Sequence, residues 1–242
     1  MVKTIVILFS IILPVLAMAI ELWSLAVRKI LSGVYILFGI LIYIASRVIV
    51  TFGYQLFFGN EQVSTRIMTS ILQVILLSLT ATGAYYLLVR SGSDSSGKRL
   101  SAGFAAGSAE TILIILPVVM NNLFLDLAIM NGDVSSFLGK SIEVSQMNDV
   151  IQLFSERPVS YFLYLGLFAF ANIIVQSAAA FLCADKRGIL DTIVLLLTFY
   201  SSCYLLPSVD YGVSCAAIAA ISVFCLFILK KSVSAQCWSR TA

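Results

Sequence analysis

Residues 101–125 read SAGFAAGSAETILIILPVVMNNLFL, and Glu110 is the one ionisable side chain among them. A helix of that length rises roughly 37 Å, enough to cross the ~30 Å hydrocarbon core of a bilayer. Six further apolar runs lie at 4–20, 31–57, 67–89, 158–184, 189–207 and 211–229. Backbone groups in lipid must be bonded within their own segment, so long continuous runs predict helices. The alternation of a membrane barrel strand is absent. The expected fold is an all-α polytopic transmembrane helix bundle of seven spans, with residues 1–242 forming one domain.

Composition agrees. Hydrophobic residues make up 60% of the chain and charged residues 11%, more apolar surface than a soluble domain of this size can hide. There is no histidine, which removes HExxH zinc sites and serine–histidine chemistry together. We expect no catalytic residues, no metal ligands and no cofactor. The net charge of +3 is too small to point to nucleic acid. Five cysteines form no CxxC pair, and Cys183, Cys203, Cys215 and Cys225 lie in or beside apolar runs, where thiols pack as small hydrophobes. Cys237 lies in the tail.

The first run resembles a secretory signal, with Lys3 ahead of it and Ala17-Met18-Ala19 as a small-residue site. Cleavage would strand Arg28 and Lys29 on the translocated side, so a retained first helix is expected. The segments after spans one, three and five, with the tail, carry Arg28, Lys29, Arg90, Lys98, Arg99, Lys186, Arg187, Lys230, Lys231 and Arg240. The opposite side has Lys3, Arg66, Lys140 and Arg157. By the positive-inside rule the N-terminus is outside or lumenal and the C-terminus cytosolic. The long connection 126–157 is then outside, and its stretch from Val144 to Phe154 reads as a short interfacial helix. Ser91–Ser96 reads as a flexible linker.

Two charges fall deep in the spans, Arg47 in the second and Glu110 in the fourth. Each costs about 2.5–3.5 kcal/mol at mid-bilayer and so needs a partner, water or a role. Measured from Arg99 and Lys29, Glu110 lies roughly 16 Å in and Arg47 roughly 27 Å in. The expectation is that Arg47 snorkels outward and Glu110 joins a polar network between helices, with a cavity built on Glu110 as the alternative.

Gly103 and Gly107 form a GxxxG, with Ala106 and Ser108 enlarging the small-residue face. Such a face lets another helix approach to backbone distance, as internal packing or as a partner interface. Pro117 is expected to kink span four outward of Glu110, where Asn121 and Asn122 add polar character. Gln176, Ser177, Thr198, Ser201 and Ser202 suit interhelical hydrogen bonds. An aspartyl dyad is not expected: Asp126 and Asp133 lie at a membrane edge and Asp191 at the start of span six, all as solvated ends.

The chain resembles the Aph (anterior pharynx-defective) family of gamma-secretase subunits. Gly103 and Gly107 match that family's span-four glycine motif; Phe181-Leu182-Cys183-Ala184-Asp185-Lys186-Arg187 looks like the end of its fifth span. Aligned on Asp185, Gln176 falls where the family has histidine. Leu205-Leu206-Pro207 resembles the loop between its last two spans, and Ala109-Glu110 is similar to a pair in the seven-span nicalin partner of the endoplasmic reticulum translocon. Bacterial YhfC proteins, described as intramembrane metalloproteases, carry a glutamate where Glu110 lies, but this chain lacks their histidines. The resemblance implies a non-catalytic scaffold or assembly subunit of a membrane complex. Its partners would be the lipid bilayer, other membrane subunits and a large glycoprotein with a lumenal domain. It would lie in the endoplasmic reticulum or another endomembrane if eukaryotic, in the plasma membrane if bacterial. The alternatives are a small transporter or channel, or a YhfC-like protease that has lost its histidines.

Overall fold

The computed structural model describes residues 2–27, 30–58, 66–90, 96–138, 144–183 and 186–239. Arg28 and Lys29, residues 91–95 of the expected linker, Lys140, Glu143, Ala184 and Asp185 and Arg240 lie outside that set. Helices α1 (Val2–Val27), α2 (Gly33–Phe58) and α3 (Arg66–Arg90) come first. The fourth apolar run is α4 (Ser96–Glu110), a π-helical turn over Thr111–Ile115, and α5 (Leu116–Asn131). The connection between the fourth and fifth spans holds α6 (Val134–Leu138) and α7 (Val144–Glu156); α8 (Val159–Leu182), α9 (Lys186–Tyr204) and α10 (Tyr211–Ser239) complete the chain.

Seven of these segments are long and apolar enough to cross a membrane, with bounds close to the seven predicted runs. The fourth and the first differ most: the fourth runs Gly97–Asn131, and the first starts at Val2. The first continues past residue 20 to Val27 because Ile20-Glu21-Leu22-Trp23 holds nothing that ends a helix, so Glu21 lies inside the span. The fifth begins after Pro158, whose extended backbone makes it the residue before the helix, not part of it. A short helix does form from Val144, as α7. Phe154 buries its ring, and Lys3 Nζ donates to the Phe154 and Ser155 carbonyls at 3.2 and 2.6 Å near the end of that helix, where unpaired carbonyls and the helix dipole favour a cation.

α8 is the centre of the bundle. It packs against α1, α4, α9 and α10, and 78% of its apolar window is buried, against 22–39% for the other spans. Its sequence explains this: Gly166, Ala169, Ala171, Ser177, Ala178, Ala179 and Ala180 give small surface on every side, so neighbouring helices come close all round. The tightest approach is with α4. A methyl on Gly107 would stand 2.7 Å from Ile173 Cα, and one on Gly103 2.7 Å from Ser177 Cα, so no larger residue fits either place without parting the helices. The GxxxG is therefore spent inside the chain. Cys183, Cys203, Cys215 and Cys225 are buried and free.

The end of the bundle that carries the 126–157 connection is less solvated than its charges predict. Asp126 is 8% exposed and accepts the Thr4 hydroxyl at 2.7 Å, tying α5 to the start of α1. Asp191, by contrast, is exposed, on the first turns of α9. The turn at Leu205-Leu206-Pro207 is a short 3-10 helix, Leu206–Ser208, as expected of a proline that cannot extend α9.

Candidate functional site

The site forms where α4 ends. Pro117 has no N–H to donate and its ring crowds the carbonyl of Leu113, so regular helix cannot run through. The chain widens by one residue per turn over Thr111–Ile115, the Leu116 N–H reaching back to the Thr111 carbonyl. The Thr111 hydroxyl bonds the Ala169 carbonyl of α8 at 3.1 Å, which fixes this loosened turn to the bundle centre. Glu110 immediately precedes the turn and is 3% exposed.

Arg47 of α2 forms an ion pair with Glu110 Oε1. The expected outward snorkel of Arg47 is overturned, and so is the depth offset that argued against direct pairing. Depth is set by where the helices start, not by the nearest basic residue. α2 starts at Gly33 and α4 at Ser96, so Arg47 and Glu110 both lie fourteen residues in, along helices running the same way. Gly39 packs on Ala102 lower down, eight residues before each, in the same register.

The rest of the shell comes from α8 and α9. Asn172 Nδ2 donates to Glu110 Oε2 at 3.2 Å and sits 3.2 Å from the Gly107 carbonyl. Arg47 Nη2 also donates to the Tyr204 hydroxyl at 3.3 Å, and its guanidinium stands 5.9 Å from the Tyr43 ring centre. Beside the pair, Tyr85 donates to Gln176 Oε1 at 2.7 Å, and Gln176 Nε2 donates to the Tyr200 hydroxyl at 2.6 Å. This chain joins α3, α8 and α9. The two networks share a cavity of about 20 Å³ lined by Ser46, Arg47, Glu110, Gln176 and Tyr200. That is room for one water molecule, close to the buried Ser46 Oγ and Arg47 Nε, which have no protein partner.

Of the intramembrane polar residues singled out from sequence, Arg47, Glu110 and Gln176 converge here. Asn122 does not: it lies further along α5, its Oδ1 accepting Arg157 at 3.3 Å. Asn121 faces outward from α5 and belongs to no polar path. Ala106 lines the small cavity, and Ser108 is buried with an unbonded hydroxyl. Thr198 and Ser202 return their hydroxyls to carbonyls four residues back, at 2.7 and 2.9 Å, and so do not bridge helices as expected; Ser177 bonds the Ile173 carbonyl of its own helix at 3.0 Å and also faces Glu21 of α1. A short hydroxyl reaches its own helix more easily than a neighbour.

Sequence reasoning missed Asn172 and the tyrosines. The signal was present: Asn172 and Gln176 are four apart, as are Tyr200 and Tyr204, so each pair shares one helix face. Among the described residues no group of three or more His, Cys, Asp or Glu could hold a metal ion.

Fold and site together define a multi-pass helical membrane protein with a largely buried ion pair between two of its spans. No family model, curated protein or solved structure matches the chain.

Proposed function

We propose that this chain is a non-catalytic scaffold subunit of a multi-subunit membrane complex, of the gamma-secretase or translocon-associated kind, with its N-terminus outside or lumenal and its C-terminus cytosolic. One observation carries the reading: Glu110, the most deeply placed acid of the GxxxG helix, is occupied by Arg47 and Asn172, beside a cavity of about 20 Å³. A substrate site of ordinary size needs some 300 Å³ or more. Polar groups that bond each other lock helices in register, which is what an assembly platform requires. The GxxxG face is covered by α8, so a partner helix would approach elsewhere. Gly212, Ala216 and Ala220 lie exposed at four-residue spacing on α10 and offer such an approach.

The test is purification of the tagged chain from its native membrane in mild detergent, beside Ala216→Leu. A stoichiometric membrane companion, lost in the variant while its thermal unfolding is unchanged, supports the reading. A wild-type chain that purifies alone, monodisperse and thermally stable overturns it.

A small transporter is favoured by a different observation. Span four is interrupted by the π turn and Pro117 directly beside a buried carboxylate, and broken helices mark ion sites in transporters. Flux in proteoliposomes that is abolished by Glu110→Gln would select this reading over the scaffold.

A further inference from the structure

α1 and α10 both lie along α8 without packing closely on each other. Between them is a cavity of about 480 Å³, with Ile20, Phe170, Ile174 and Leu226 as its apolar wall and Glu21, Ser24 and Lys230 as its polar groups. Ile20 and Leu226 are 67% and 46% exposed, so the cavity opens sideways into the bilayer.

The charged groups share one depth. α1, α8 and α10 run in the same direction. Gly166 packs on Ser10, and eleven residues further along each helix bring Glu21 level with Ser177, whose hydroxyl faces the Glu21 carboxylate. Cys215 Sγ lies 3.7 Å from the Ser160 carbonyl, and fifteen residues further on Lys230 comes level with Val175. A carboxylate and an ammonium thus flank the same cavity two residues apart in height, near the end where α1 stops at Val27. Phe170, Ile174 and Leu226 lie on the bilayer-centre side of both, while Leu25 and Ile30 line the cavity beyond Glu21. An amphiphile with its head at Glu21 and Lys230 would lay its chain along Phe170 and Ile174.

We infer that this cavity binds one ethanolamine phospholipid from the surrounding bilayer. The headgroup chemistry follows from the charges. Glu21 faces a low-dielectric groove and gains from hydrogen-bond donors, which a primary ammonium brings and a choline does not. The lipid phosphate is complementary to Lys230. An anionic lipid would satisfy Lys230 but set its negative charge beside Glu21.

The test uses the full chain reconstituted with equal amounts of ethanolamine, choline and glycerol phospholipids, extracted in mild detergent, with retained lipid identified by native mass spectrometry. The expected result is one ethanolamine lipid per chain, about tenfold enriched over the other two, the ratio that one charge-assisted hydrogen bond supplies. Glu21→Gln should erase the preference. Leu226→Trp fills the half-exposed wall and should release the lipid from a chain that remains monodisperse. Equal or better retention of the choline or glycerol lipid by the wild type overturns the inference, as does ethanolamine retention unchanged in either variant. If Glu21→Gln fails to fold, Leu226→Trp alone decides.

Discussion

The guanidinium of Arg47 on α2 bonds Oε1 of Glu110 on α4, which leaves Oε2 to the Asn172 amide of α8. One carboxylate therefore ties together three helices, and each partner meets a different oxygen. Side-chain exposures of 21% for Arg47 and 4% for Glu110 put the pair largely out of reach of solvent.

Removing one member of such a pair strands a charge. Glu110→Leu or Arg47→Leu is expected to destabilise the bundle by roughly 3–5 kcal/mol, whereas the double Leu variant should recover most of that loss. Thermal unfolding in detergent measures the cycle. Additive losses in the double variant would show that the two side chains act independently.

Packing at Gly107 makes a contrasting demand. Gly107→Leu forces a branched side chain into the space of Ile173 Cα and should cost about 3 kcal/mol or more, because backbone, not a flexible side chain, must yield. Ala216→Leu, on the exposed face of α10, is expected to stay within about 0.5 kcal/mol of wild type. Equal melting temperatures for the two variants would contradict the α4–α8 contact.

Gln176 holds the second network. Gln176→Leu leaves the Tyr85 and Tyr200 hydroxyls without their shared partner, and the predicted loss is about 1–3 kcal/mol. Gln176→Glu keeps the acceptor for Tyr85 and should lose less when protonated. Hydrogen exchange in α9 should rise in the Leu variant, since its tie to α8 and α3 is cut.

Thiol chemistry reads burial directly. Cys183 is fully buried, its Sγ 3.8 Å from the Thr82 carbonyl, and burial pushes its thiol above the ordinary range. In a Cys237→Ser background, a maleimide at pH 7.5 should leave Cys183, Cys203, Cys215 and Cys225 unmodified until the fold is opened by denaturant. The sign for stability follows by linkage. Above the unfolded thiol pKa the folded chain holds the proton that the unfolded chain has released, so Cys183 makes stability fall as pH rises through that range. Rapid labelling of four thiols in the native state would refute the burial.

What could be read from sequence was everything that depends on the neighbours of a residue along the chain. Apolar run length sets span number, because the hydrocarbon thickness is fixed and a helix must satisfy its own backbone. The GxxxG of Gly103 and Gly107, the break near Pro117, the short α7 and the depth of Glu110 within its own span follow from the same local physics. The C-terminal limit of the first span was less legible, since Glu21 looks like a boundary and only the absence of a helix stop shows otherwise.

Tertiary structure alone decided who meets whom. Lipid offers no hydrophobic drive to choose one helix face over another, so packing of small residues sets the register, and small residues are spread over many faces. α8 takes the centre because it is small on all sides. Its position brings Asn172 to Glu110 and Gln176 between Tyr85 and Tyr200. The parallel register of α2 and α4 then turns two isolated intramembrane charges into a pair, a relation that residue spacing within either span could not contain.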